Sequence, residues 1–115
     1  MEVEKEVKNK VLFVRITGEV DLKEADRLRR EVDEIIENYP VKDIVFNLKN
    51  VDFIDSSGLG VILGRFKKIR SLGGRVYLAS TNEKIKKILE LSGFFRIMKG
   101  ISREEEVWEE TAHEA

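Results

Sequence analysis

Residues 3–8 alternate apolar and charged side chains, Asn9-Lys10 supplies a two-residue turn, and residues 11–17 form a second, more apolar run. The chain is therefore expected to open with a β-hairpin. After Gly18, apolar residues recur at Leu22, Ala25, Leu28, Val32, Ile35, Ile36 and Tyr39, the spacing of one helix face. Asp21 with Glu24 three residues on is a capping-box start, and Pro40 is a stop. Residues 44–48 are a short, largely apolar run, the signature of a strand covered on both faces. A second helical pattern passes through Leu59, Ile62, Leu63, Phe66, Ile69 and Leu72 to Gly73-Gly74, and residues 76–79 read as another buried strand. Asn82 begins a third, shorter helix carrying Ile85, Ile88 and Leu89, with Gly93 at its end. Residues 94–98 offer a short last strand, and Ser102 with Glu105 a capping-box start for a terminal helix with Val107 and Trp108 on its inner side. The order β-β-α-β-α-β-α-β-α predicts an α/β fold, with a mixed, mostly parallel sheet opened by a β-hairpin and about four helices.

Partners of open α/β sheets meet the edge formed by the carboxyl ends of the parallel strands. Three segments are expected there: 18–21, 50–60 and 79–82. The middle one carries Asp55-Ser56-Ser57-Gly58-Leu59-Gly60, two hydroxyls where a strand hands over to a helix. Two readings fit. In one, a Ser or Asp55 caps the helix and the glycines let its first turn approach the sheet. In the other, a Ser is a phosphate acceptor, and the phosphate faces free backbone N–H groups and the positive end of the helix dipole. The glycines do not make a nucleotide loop. Gly58, Gly60 and Gly64 miss the G-x-G-x-x-G register, and Gly64 is followed by Arg65-Phe66 rather than Lys-Ser. Gly60 and Gly64, four apart, read instead as a smooth helix face.

Charge and composition narrow the function. The chain has 115 residues, with 21 Lys+Arg against 22 Asp+Glu, which fits one globular unit spanning 1–115 with a structured core over about 3–110. A formal net charge of −1 supplies no field for nucleic acid or anionic lipid, so direct binding to either is not expected. There is no Cys, which removes disulfides, thiolate catalysis and Cys-ligated metals, and no metal site or cofactor is expected. The first residues lack the apolar stretch of a signal peptide, and no run approaches a membrane span, so a cytoplasmic location is expected. Charged residues reach 37%, the direction in which hyperthermophile proteins deviate. Enzyme readings are poor. His113, the one histidine, sits near the chain end in a Glu-rich, acidic tail expected to fray, so a Ser–His–Asp triad lacks a positioned base. Arg65, Lys67, Lys68 and Arg70 are expected to be the wet side of the second helix, and Arg15 and Arg96 to pair with neighbouring acids.

These residues resemble a known family. Gly18-Glu19-Val20-Asp21, the run from Phe53 through Asp55-Ser56-Ser57-Gly58-Leu59-Gly60 to Arg65, Gly73-Gly74 and Ser92-Gly93 are similar to the anti-sigma factor antagonists of the sporulation and stress-response type, which are single STAS domains. The resemblance covers essentially residues 3–110. It implies a non-enzymatic protein that binds an anti-sigma factor with serine kinase activity and so frees a sigma factor. It also implies inactivation by phosphorylation of Ser56, reversal by a PP2C-type phosphatase, and a free monomer. Ser57 would keep a structural, helix-starting role, and Glu19 and Asp21 would face the kinase. With Asp55, Gly58 and Leu59 they form the expected partner surface, to which the shared-edge argument adds Ser80 and Asn82. The alternative within the same fold is a STAS scaffold, or an accessory domain for small-ligand sensing or lipid transport, without a phosphorylation switch.

Overall fold

The computed structural model describes residues 1–112. Strands β1 (Glu2–Lys8) and β2 (Val11–Val20) form the expected antiparallel hairpin, turned by Asn9 and Lys10 with φ of 48° and 65°. Two positive φ values in a row match the right-handed twist of the flanking strands. Then follow α1 (Leu22–Asn38), β3 (Asp43–Ile54), α2 (Ser56–Ser71), β4 (Val76–Ala79), α3 (Glu83–Leu91), a single 3-10 turn at Phe94–Arg96, β5 (Lys99–Ile101), a second 3-10 turn at Glu104–Glu106 and α4 (Val107–Ala112). The strands lie in sequence order β1-β2-β3-β4-β5, parallel after the hairpin.

Sequential order has a steric consequence. Each right-handed crossover steps one strand in the same direction, so α1, α2 and α3 all land on one face. Alternation along the strands divides the core accordingly. Leu12, Val14, Ile44, Phe46 and Leu78 point toward Leu28, Val32, Ile62, Ile69, Ile85 and Leu89 on the three helices. Val11, Phe13, Val45, Tyr77 and Ile101 point the other way, under Val107 and Trp108. Trp108 meets Phe13 edge to face, with ring centroids 5.8 Å apart.

Four expectations are corrected here. β3 runs past 48 to Ile54, because two register shifts opposite β2 insert extra residues into it. They put Leu48, Val51 and Ile54, three apart, all on the inner side and break the period of two. Residues 94–98 are not a strand. Phe94–Arg96 make a 3-10 turn that buries Phe94, and the last strand is Lys99–Ile101. The terminal helix does not start on a Ser102–Glu105 box. The Ser102 N–H donates to the Glu106 carboxylate, and a 3-10 turn precedes α4.

The acidic terminal run, within the described residues, is docked rather than frayed. Glu104 accepts both Arg15 Nε and Nη2 at 2.8 Å and Asn47 Nδ2 at 2.7 Å, and Val107 is fully buried. Arg15, also paired with Glu4 and Glu6, holds the Glu104 carboxyl below its ordinary range, with Asn47 adding to the effect. His113 lies outside the described residues.

Candidate functional site

The carboxyl ends of β2 and β3 bring the starts of α1 and α2 side by side. The backbone N–H of Asp55 donates to Val20 O at 3.3 Å, carrying strand pairing to the last residue before α2. Asp55 then turns out of the ladder in an extended conformation, and its side chain caps the helix. Its Oδ1 accepts the N–H groups of Ser57 at 2.9 Å and Gly58 at 3.2 Å. Its Oδ2 accepts the N–H of Leu22, the first residue of α1, at 3.1 Å. One carboxylate therefore satisfies orphan donors of two helices. Asp21 caps α1 from within, accepting Glu24 N–H at 3.1 Å. The reciprocal half of that capping box is not made, since Glu24 pairs instead with Arg27 at 3.2 Å and with the N-terminal amine at 3.8 Å.

Ser56 opens α2 and is exposed. Of the caps expected, a Ser or Asp55, it is Asp55 that closes the start of α2, and the N–H groups of Ser57 and Gly58, expected to be free for a phosphate, are occupied. Gly58 is the glycine that close approach requires. A Cβ there would lie 2.7 Å from Val20 O and from Ile54 Cγ1. Gly60 and Gly64 face open space instead, so they leave the outward side of α2 beyond Ser56 smooth.

Glu19 belongs to β2 rather than to a loop, in register with Phe53 of β3. Phe53 is 40% exposed and Leu22 75% exposed. Neither was among the expected partner residues. Leu22 fits the buried helix stripe in sequence, but at the first position of α1 it is left exposed. Leu59 is half-buried against the core. Together these side chains put apolar surface among the acids of the rim, Glu19, Asp21 and Asp55.

The third segment has internal tasks. Ser80 has a left-handed backbone (φ 53°), and its hydroxyl donates to Ser102 O at 3.2 Å. Asn82 caps α3 through Ile85 N–H at 2.9 Å, while its Nδ2 donates to Val51 O at 2.8 Å and Lys49 O at 3.2 Å. Asn82 thereby fastens α3 to the bulged part of β3. The basic side of α2 is not uniformly wet. The Arg65 side chain, 12% exposed, lies 3.1 Å from Asp33 of α1, and Lys68 reaches Asp33 and Glu37.

This arrangement, a mixed α/β sheet with its strands in sequence order and an exposed Ser after a helix-capping Asp, agrees with the matches to known proteins. The STAS domain family model matches residues 2–107. The chain belongs to the STAS domain family. An anti-sigma F factor antagonist from Paenibacillus polymyxa is 43% identical over 98 residues, 85% of this chain and 84% of that protein. The Bacillus cell fate determinant SpoIIAA in its phosphorylated form superimposes with a TM-score of 0.75 at 27% identity, over 96% of this chain and 99% of that one. The anti-sigma factor antagonist SpoIIAA in its unphosphorylated form gives 0.76 at 23% identity, over 97% and 98%. In this STAS domain the five strands, the opening hairpin and four helices match the architecture expected from sequence. Among the described residues no helix is long and apolar enough to cross a membrane.

Proposed function

We propose that this STAS domain is an anti-sigma factor antagonist, monomeric when free, and that phosphorylation of Ser56 switches it. The observation that carries the reading is the position of Ser56. It is exposed at the start of α2, behind a capping Asp, on a rim whose acids Glu19, Asp21 and Asp55 form no ion pair among the described residues. The names of its relatives supply the partner class, an anti-sigma factor; to that the reading adds serine kinase activity for the partner and a cytoplasmic setting for both. A PP2C-type phosphatase completes the cycle.

The mechanism is electrostatic. The γ-phosphoryl group of ATP passes to Ser56 Oγ, with ADP leaving and the hydroxyl proton released. This adds about −1.5 to −2 charges at pH 7 beside Asp55 and close to Asp21. A phosphate pressed into an interface without a matching cation costs desolvation and repulsion, so the partner leaves without any refolding of this domain. The similar superposition on both phosphorylation states of SpoIIAA supports that economy. The apolar side chains Leu22 and Phe53 supply the contact that the unmodified protein makes. The rim does not need catalytic groups of its own.

Intact mass with site mapping, after incubation with the host's anti-sigma kinase and ATP, tests the reading. One phosphate on Ser56, absent in Ser56→Ala, is expected. Phosphate confined to Ser57 contradicts the site, and an unmodified chain contradicts the switch.

A further inference from the structure

We propose that Asp55 positions the phosphoryl group of modified Ser56 by keeping it off the Ser57 and Gly58 amides; this rests on the reading of Ser56 as the acceptor. A phosphoserine in the first turn of a helix ordinarily bonds the free N–H groups there, where the dipole also favours negative charge. In α2 the donors of the three residues after Ser56 are taken. Ser57 and Gly58 N–H donate to Asp55 Oδ1, and Leu59 N–H donates to the Asp55 carbonyl oxygen at 2.9 Å.

The occupant is also anchored from a second side. Asp55 Oδ2 holds Leu22 N–H, at the first position of α1, where no intrahelical acceptor exists. For the phosphate to take those amides, Asp55 Oδ1 would have to release them while Oδ2 stays tied to Leu22. A phosphate and a carboxylate of like charge cannot share the same donors without repulsion. The phosphoryl group is therefore directed outward, on the side where Ser56 is exposed. There it keeps its full charge toward a partner and stays open to a phosphatase. The other charged groups of this rim are Glu19, Asp21 and Lys23 at the β2–α1 junction, Asp52 on β3, and Glu83 and Lys84 at the start of α3, with acids in the majority.

The test places phosphoserine at position 56 of the full chain by genetic encoding and follows two signals through pH: the phosphorus resonance and the backbone amides of Ser57 and Gly58. In the unaltered protein the second phosphate ionisation is expected at or above the roughly 6 of a free phosphoserine, with Ser57 and Gly58 amides that do not follow it. In Asp55→Ala the ionisation is expected to fall by about half a unit or more, and both amides to titrate with the phosphate. Asp55→Asn keeps a capping oxygen without the charge and is expected to lie between. An ionisation below that of free phosphoserine in the unaltered protein, tracked by both amides, overturns the proposal. So does the same ionisation in all three proteins. The unaltered protein alone decides the point if Asp55→Ala does not fold. Because the phosphate is encoded, a chain that no kinase modifies would sink the functional reading and leave this measurement intact.

Discussion

On the outer face of the sheet three carboxylates close on Arg15, whereas Glu19, Asp21 and Asp55 on the carboxyl rim form no ion pair among the described residues. The difference lies in what each group of acids holds. Glu104 is bonded in two places to Arg15 and in a third to Asn47, so its charge fixes the terminal segment to the sheet. Asp21 and Asp55 spend their oxygens on helix N–H groups, which need an acceptor but leave the negative charge unneutralised. Glu19 is exposed. A chain whose acids and bases nearly balance overall thus has one region where the acids are neutralised and one where they remain available to repel an added phosphate.

The largest effect on this contrast is expected from Gly58→Ala, which forces a methyl onto Val20 O and Ile54 and so parts the two helix starts. A loss of about 3 kcal/mol in urea denaturation is expected. Arg15→Ala comes next, at about 2 kcal/mol. It leaves Glu104 half-buried beside Asn47 without its cation, while the more exposed Glu4 and Glu6 lose little. The same variant has a pH signature. The folded-state pKa of Glu104 lies below its ordinary 4.5, held there by the Arg15 hydrogen bonds and by Asn47. Its contribution is therefore complete above that value and disappears as pH falls through the folded-state pKa. Denaturation midpoints between neutral pH and pH 3 should drop more steeply in the unaltered protein than in Arg15→Ala.

Smaller effects sharpen the other side of the contrast. Gly60→Ala adds a methyl to open space inside a helix, and a gain of about 0.5–1 kcal/mol is expected. If the smooth side of α2 receives the partner, the same variant binds more weakly while melting higher. Glu19→Gln and Ser56→Ala should stay within about 0.5 kcal/mol of the unaltered protein in the same denaturation assay. A stability loss for Glu19→Gln comparable to that of Arg15→Ala would show that the rim acids are structural after all.

The hairpin, α1, α2, α3 and β4 were legible because each carries an unbroken period and a matching stop. Asn9-Lys10, Pro40, Gly73-Gly74 and Gly93 mark their ends. What failed was local periodicity. The bulges in β3 shift the inward positions to Leu48, Val51 and Ile54, so half of a long strand read as a loop. Phe94 and Met98 are buried from a 3-10 turn and its exit, which gives an apolar cluster without a strand. At the site, the Asp-Ser-Ser-Gly run placed Ser56 and Asp55 correctly at a helix start, but the bond from Leu22 N–H to Asp55 joins residues 33 apart and has no sequence signature. Exposure of Leu22 was equally hidden, since its position in the apolar stripe is indistinguishable from that of Ala25 or Leu28 until the sheet edge is located. The docking of Glu104 on Arg15 spans 89 residues and escaped for the same reason.

The most direct measurement of the central claim is the affinity of the anti-sigma factor for this domain with serine or encoded phosphoserine at position 56, by titration calorimetry at physiological salt. Tight binding of the unmodified protein, weakened at least about 100-fold by the phosphate with the fold unchanged by circular dichroism, is the predicted result. Equal affinities for the two forms would contradict it.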